Sequence, residues 1–395
     1  MFRKTYLEVN CENLKNNIIN IKENYPDYKY YFGVVKANSY GHGGFIINSL
    51  IEGGVNYLAV SSLEEALDLR KYNTEIPILI LEPINLDYIE EAVKNNITIT
   101  ISNIEYFKKL INVQLSGSLK FHIKVDSGMN RLVLNNCADL EYVVNNYSKN
   151  SNLVLEGIYS HFATSGINDK HWDNQLEKFK EITKNIDLAI IPIVHLNRSL
   201  SLVNHPKISF CNGTRLGIVM YGMSQSMVQA SGLKAKLREI KNSMKRKKLN
   251  ISETTTSNNL KLNTAITLCS EVIDVKEIHA NDFVGYGAEF IATENSRIAT
   301  IAIGYADGIP KTIKHVAINN KIFNVVGEVC MDMISAKVDE TVSIGDKVII
   351  IDNNLLPVKK VANECGISSY TLFTGITTRV PRVYLENGKT TEIKY

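Results

Sequence analysis

The stretch Tyr30-Tyr31-Phe32-Gly33-Val34-Val35-Lys36-Ala37-Asn38-Ser39-Tyr40-Gly41-His42-Gly43 decides how the chain is read. Its first six residues form the continuous apolar run of a strand buried on both faces, and such strands belong to parallel sheets. The run ends on a lysine, and a Tyr-Gly-His-Gly turn follows. An amine where a buried strand opens into a loop is placed as an enzyme needs it for a Schiff base to a carbonyl cofactor. Taken alone, Lys36 is more simply a surface lysine after a strand, so the rest of the chain has to decide.

Outward from this stretch, apolar β-rich runs alternate with helical periodicity. Strands are expected near Tyr30–Lys36, Tyr57–Ser61, Ile76–Leu81, Ile97–Ile101, Lys120–Val125, Val154–Tyr159, Pro192–Leu196 and Arg215–Tyr221. Helices fall between them at Ser62–Tyr72, Ile84–Lys94, Ala138–Tyr147 and Asp173–Ile186, the first opened by a Ser62/Glu65 capping box. Eight such units in the first 225 residues suit a closed (β/α)8 TIM barrel, within the α/β class. A doubly wound open sheet is the alternative that this pattern leaves open.

Barrels keep their chemistry at the carboxyl ends of the strands, and polar residues gather there. Lys36 ends the first strand, Arg131 follows the fifth in Val125-Asp126-Ser127-Gly128-Met129-Asn130-Arg131, His161 follows the sixth, and His195 ends the seventh. Arg215 conforms only if the eighth strand begins earlier than drawn.

Composition narrows the function class. The chain has 395 residues, 45% of them apolar and 22% charged, as in an ordinary globular protein of two or three domains. A net charge of +3 points to no nucleic acid, and no apolar run is long enough to span a membrane. The first residues lack the apolar core of a signal peptide. Six scattered cysteines without metal spacing read as reduced thiols of a cytoplasmic protein, and eight unclustered histidines suggest no metal site. Residues 226–263 change texture: Lys234–Lys248 carries eight basic residues against one acid, and Ser252–Asn259 is a polar run, together expected to form a solvated linker. From Thr264 to Tyr395 short strands and Gly/Asp/Asn turns predict a mostly-β domain, with strands at Val272–Ile278, Arg297–Ile303, Asn324–Val329 and Lys347–Ile351. The expected domains are 1–225, 226–263 and 264–395.

Five motifs in this order resemble the fold-type III, pyridoxal-5′-phosphate-dependent alanine racemase family: Lys36 to Gly43, Val284-Gly285-Tyr286-Gly287-Ala288, Ile303-Gly304-Tyr305-Ala306-Asp307-Gly308, Val326-Gly327-Glu328-Val329-Cys330-Met331-Asp332-Met333, and Arg379-Val380-Pro381-Arg382-Val383-Tyr384. The resemblance implies that Lys36 forms the covalent link to pyridoxal 5′-phosphate and that Tyr286 is a second catalytic base. It implies that Tyr40, Ser199, Gly217 and Ile218 hold the phosphate. Arg215 would face the pyridine nitrogen with His195 behind it, His161 would flank the ring, and Arg131 would reach the phenolic oxygen. Tyr305 and the Met331 backbone would meet the substrate carboxylate from the partner subunit of a homodimer, with Asp332 near Tyr286. Lys124, seven residues before Arg131, stands where the family often carries a carbamate.

These residue types suit the chemistry. Racemisation removes a weakly acidic α-proton and returns it to either face, which calls for two bases on opposite sides of a planar centre, and a lysine and a tyrosine can serve. A permanently charged Arg215 cannot take up the proton of the ring nitrogen, which limits side reactions such as transamination. A decarboxylase of similar fold would place a carboxylate there. Three positions depart from the family: Arg198 in His195-Leu196-Asn197-Arg198-Ser199 replaces asparagine, Thr378 replaces a tyrosine, and Lys311 replaces an arginine. Threonine at 378 is expected to widen the pocket and admit serine beside alanine. The expected function is alanine racemisation supplying D-alanine for peptidoglycan. The alternatives are a broader serine/alanine racemase and a non-catalytic cofactor-binding protein, and the β domain weighs against the last.

Overall fold

The computed structural model describes residues 2–165, 170–223 and 260–394. Both the basic run Lys234–Lys248 and the polar run Ser252–Asn259 of the expected linker lie outside the described residues. The chain forms two compact units. One comprises Met1–Asn16, Ala37–Ser49 and Asn263–Tyr395, the other Asn17–Lys36 and Leu50–Leu262. The expected stretch 1–225 is therefore not one unit, because residues 1–16 and 37–49 group with the C-terminal residues. Strand β1 (Tyr6–Asn10) pairs antiparallel with Ile266–Ile278 and parallel with Arg382–Glu386, in the sheet of the C-terminal unit. Its alternating burial is that of an element with one covered face.

The second unit is the barrel. Its strands are β2 (Tyr30–Val34), β3 (Tyr57–Val60), β4 (Ile78–Ile80), β5 (Ile97–Ile101), β6 (Leu119–Lys124), β7 (Leu153–Tyr159), β8 (Ile193–His195) and β9 (Gly213–Leu216). They run parallel in the spatial order β8-β7-β6-β5-β4-β3-β2-β9. The ends of this sheet meet through the amide of Asn212 on Val194 O and that of Arg215 on Asn197 O, which nearly closes the barrel. β3 (Tyr-Leu-Ala-Val) and β5 (Ile-Thr-Ile-Thr-Ile) are buried along their whole length, on both faces, as is typical of a parallel sheet. The first seven observed strands agree with the expected ones to within two residues at either end. The eighth, expected over Arg215–Tyr221, shares only Arg215 and Leu216 with the observed strand, and residues 217–221 form a turn. The eighth begins at Gly213, which puts Arg215 third of four residues in β9, toward its carboxyl end. The helix Leu63–Arg70 is capped by Ser62, whose hydroxyl accepts from the Glu65 amide, while the Glu65 carboxylate reaches back to the amide of Ser61.

In the other unit a nine-stranded sheet combines β1 with β10 (Ile266–Ile278), β13 (Ser296–Ile301), β14 (His315–Ile318), β15 (Lys321–Val326), β16 (Ile334–Val338), β17 (Lys347–Ile351), β18 (Arg382–Glu386) and β19 (Lys389–Lys394). Two short strands, β11 (Phe283–Val284) and β12 (Phe290–Ile291), form a separate hairpin. β10 serves three partners: its first half lies between β1 and β17, and its second half, around a bulge between Val272 and Asp274, pairs with β13. The mostly-β character follows from short alternating segments punctuated by turns, such as Asn319-Asn320 with both φ positive.

Candidate active site

Because all barrel strands run the same way, their last residues share one rim. That rim carries Lys36, two residues past β2, Lys124 and Tyr159 at the ends of β6 and β7, His195 at the end of β8, and Arg215 near the end of β9. His161, Ser199 and Gly217 follow within four residues of their strands.

Arg215 is buried and organises the rim. Its Nη1 donates to His195 Nδ1 and to His195 O, both at 2.7 Å, and its Nη2 donates to Ser160 O at 2.6 Å and Leu196 O at 3.0 Å, with His161 Nδ1 at 3.5 Å. A guanidinium has five N–H donors. The Nε–H of Arg215 has no partner among the described residues, so one charged donor is left over for a ligand. Burial, then the positive field of Arg215, holds both His195 and His161 well below the usual histidine range, so both are neutral near pH 7. The ring of His195 lies between Phe32 (centroids 4.4 Å apart, 13° between planes) and Tyr159 (4.8 Å, 17°). Sequence reasoning missed what lies behind it. His195 Nε2 is 2.9 Å from His122 Nδ1, His122 Nε2 is 3.3 Å from Glu156 Oε2, and Tyr57 Oη donates to the same carboxylate oxygen at 2.6 Å. A histidine between Phe121 and Ile123, with buried neighbours on both sides, was the available signal for His122.

Lys124 is buried without an ion pair or hydrogen bond among the described residues. Burial, then Arg131 and Arg215, lower its amine to about 8. Arg131 itself is exposed, but its backbone is fixed: the Asp126 carboxylate accepts from the amides of Gly128 (2.9 Å), Asn130 (3.0 Å), Arg131 (2.8 Å) and Leu132 (3.3 Å). Asp126 is thus the unrecognised organiser of that loop. Ser199 Oγ accepts from the Gly217 amide at 2.8 Å, which brings together two of the residues expected at the phosphate. Arg198, the departure from asparagine, donates through Nε to Phe162 O at 3.2 Å.

Tyr40 belongs to the other unit, as the last of four consecutive left-handed residues, Ala37 to Tyr40, with φ of 52–53°. Such a run is costly for residues with a Cβ, and the surrounding structure holds it. Arg382 donates to Gly41 O from both Nε (3.1 Å) and Nη2 (3.0 Å), and Tyr384 Oη donates to His42 O at 3.0 Å. A Cβ at Gly41 would stand 2.2 Å from Phe373 O, at a φ of +80°. The final Arg-Val-Pro-Arg motif therefore supports the loop that follows the lysine.

Within the same unit, Tyr305 and Met331 are joined, since the Tyr305 amide donates to Cys330 O and the Ala306 amide to Met331 O, both at 3.0 Å. Asp307 is buried, pairs with Arg3 and lies 3.6 Å from Arg379 Nε, while Arg379 Nη2 meets Asp332 at 2.8 Å. This network ties Tyr305, Met331, Asp332 and the neighbour of Thr378 into one surface. Lys311 Nζ sits 4.9 Å over the Tyr305 ring and 3.1 Å from Glu328. Tyr286 stands on the β11–β12 hairpin and is 69% exposed, beside exposed Phe283 and Ile291. Thr378 is exposed as well.

The residues fit pyridoxal 5′-phosphate: a lysine at the rim, a leftover charged N–H suited to an unprotonated ring nitrogen, and the Ser199 hydroxyl, whose own hydrogen is suited to a phosphate. No group of histidines, cysteines and carboxylates among the described residues is arranged to hold a metal. Among those residues, too, no helix is long and apolar enough to cross a membrane.

Comparison with known proteins agrees with this geometry. Residues 9–225 match the family model "Alanine racemase, N-terminal domain", and residues 265–384 match "Alanine racemase, C-terminal domain". The chain is 32% identical to alanine racemase 2 of Caldanaerobacter subterraneus subsp. tengcongensis, over 99% of this chain and 97% of that protein. It is 30% identical to alanine racemase 1 of Bacillus subtilis, over 100% and 96%. Among solved structures, the alanine racemase of Bacillus anthracis with bound L-Ala-P superposes with a TM-score of 0.86 at 30% identity, covering 100% of this chain and 98% of that one. A histidine racemase of Leuconostoc mesenteroides subsp. sake superposes at 0.82 with 26% identity, over 98% and 99%. The chain belongs to the alanine racemase family and is an amino-acid racemase.

Proposed function

We propose that the protein interconverts L-alanine and D-alanine with pyridoxal 5′-phosphate as cofactor, and that Lys36 and Tyr286 are its two bases. The observation that carries this reading is the buried Arg215, which keeps one N–H donor free and no carboxylate at ion-pair distance among the described residues. Bound pyridoxal 5′-phosphate supplies a carbonyl that links to amines and withdraws electrons from the substrate α-carbon. Lys36 holds the cofactor and moves the α-proton on one face. Arg215 donates to the ring nitrogen without giving up a proton, with His195 behind it. His161 lies against the ring, and Arg131 orients the phenolic oxygen. Ser199, Gly217, Ile218 and Tyr40 bind the phosphate.

Tyr286 is the base for the other face. Its exposure, with that of Phe283, Ile291, Met331 and Met333 on the same unit, supports a homodimer in which these residues complete the site of the partner subunit. There Tyr305 and the Met331 backbone bind the substrate carboxylate, and Asp332 and Thr378 line the pocket. Lys124 carries a carbamate that orients Arg131. The setting is the cytoplasm, and the product serves peptidoglycan.

A second reading, a racemase of broader specificity, is favoured by Thr378 at a position where a tyrosine would fill the pocket and by the similarity to a histidine racemase. One experiment separates them: reconstituted protein offered L-alanine, L-serine and L-histidine, with D-isomer formation followed by chiral chromatography. Alanine is expected to have the highest kcat/KM and serine a measurable one. Preference for histidine, or absence of any D-isomer, overturns the reading.

A further inference from the structure

We propose that His122 and Glu156 are positioning residues: acting through His195, they fix which nitrogen of His195 carries its proton, and so hold Arg215 in place. The effect on a bound cofactor rests on the reading of Arg215 above, whereas the proton assignment does not.

The assignment follows from donor counting. Arg215 Nη1 lies 2.7 Å from His195 Nδ1, and a guanidinium can only donate. His195 Nδ1 is therefore bare, and the proton of the neutral ring sits on Nε2. That atom is 2.9 Å from His122 Nδ1. One hydrogen fits between them, His195 supplies it, and His122 Nδ1 is bare in turn. The proton of His122 then sits on Nε2 and points at Glu156 Oε2, 3.3 Å away. Every N–H along the chain points from Arg215 toward Glu156. A second proton on either ring would place two hydrogens in one gap, or one against the guanidinium. The groups facing the relay agree. Burial lowers His122 and outweighs the opposite pull of Glu156. Burial pushes the Glu156 carboxyl up, but the hydrogen bonds from His122, Tyr57 and Lys120 prevail and bring it to about 2. Lys120 Nζ meets Glu156 Oε1 at 3.0 Å, and Thr98 Oγ1 donates to Oε2 at 3.2 Å.

The backbone is shaped for this relay. In the β6–β7 ladder Phe121 pairs with Leu155 and His122 with Gly157, so Glu156 is the extra residue of a bulge. Bulges re-aim a side chain, and here the carboxylate turns to the His122 ring. Opposite His122 only glycine fits: a Cβ on Gly157 would lie 2.6 Å from Cε1, 2.7 Å from Nδ1 and 2.8 Å from Nε2 of the imidazole. Stacking by Phe32 and Tyr159 keeps the His195 ring from turning. Among the described residues Arg215 has no carboxylate at ion-pair distance, so the polarised relay carries the compensating charge of Glu156 to it.

The test uses full-length holoenzyme labelled with 15N-histidine. Long-range 1H–15N correlations are assigned by the signals lost in His122→Gln and His195→Asn. Both rings should show a protonated Nε2 and a bare Nδ1, unchanged between about pH 5 and about pH 8. A proton on Nδ1 of either ring, or double protonation within that range, overturns the assignment whatever the enzyme turns over. The positioning role is read by equilibrium dialysis of pyridoxal 5′-phosphate. His122→Leu, which leaves the His195 N–H unpaired, should weaken binding about 10- to 100-fold. His122→Gln, which can accept and donate in the same places, should restore most of it. Equal affinity of the two variants, high or low, overturns the positioning role, and the spectra of the unsubstituted protein remain decisive if the leucine variant does not fold.

Discussion

Gly157→Ala tests the barrel interior with a single methyl group. Backbone preference alone would favour alanine in a strand by about 0.5–1 kcal/mol. The structure reverses that sign. The new Cβ would stand within 2.8 Å of three His122 ring atoms, and a ring held at 2.9 Å from His195 and 3.3 Å from Glu156 cannot retreat without breaking both contacts. Overpacking costs about 1–3 kcal/mol and an orphaned buried polar group another ~1–3 kcal/mol. The net loss is then about 1–5 kcal/mol, a large share of a typical folding stability. The assay is urea unfolding followed by tryptophan fluorescence. The chain has one tryptophan, and Trp172 is buried in the barrel unit, stacked at 4.0 Å on His205, so its signal reports this unit. His122→Ala makes room for the methyl, and the double variant should be more stable than the sum of the single losses by at least about 1 kcal/mol. A loss below about 0.5 kcal/mol for Gly157→Ala, or strict additivity with His122→Ala, would refute the packing argument.

Three further predictions follow from other parts of the structure. Glu156 titrates near 2 in the folded state against an ordinary 4.5, so its contribution is complete above pH 4.5 and is lost as the pH falls toward about 2; Glu156→Gln should flatten the acid limb of barrel stability in that window, and an unchanged limb contradicts the relay. Ala37 has a φ of 52°, so Ala37→Gly should leave the holoenzyme as stable or up to about 1 kcal/mol more stable by calorimetry, while Ala37→Val should lose at least that much. With its amine lowered to about 8, Lys124 should take up 13C-labelled bicarbonate as a carbamate carbon signal that grows as the pH rises through 8. That signal should vanish in Lys124→Met, and its absence from the unsubstituted protein removes the carbamate.

The elements legible in the sequence were those whose signal is local. Continuous apolar runs announce strands, and a lysine at the end of one, followed by Tyr-Gly-His-Gly, marks itself. The relay was hidden because its members come from four strands and share no spacing. His122 meets His195 only once β6, β7 and β8 lie side by side, and Glu156 faces inward only because a bulge shifts the register by one residue. Asp126 reads as an ordinary turn residue until four amides are seen to converge on it. The first strand, Tyr6–Asn10, carries no mark of the distant β10 and β18 that it joins. Long-range pairing of this kind has no local code.

The central claim is that Lys36 and Tyr286 serve opposite faces of the substrate. Exchange of the α-proton with solvent deuterium, measured separately from L-alanine and from D-alanine, tests it most directly in the Tyr286→Phe holoenzyme. The account predicts that this variant keeps pyridoxal 5′-phosphate and still exchanges the α-proton of D-alanine, while exchange from L-alanine falls by about 100-fold or more. An equal and mild loss with both isomers would contradict it.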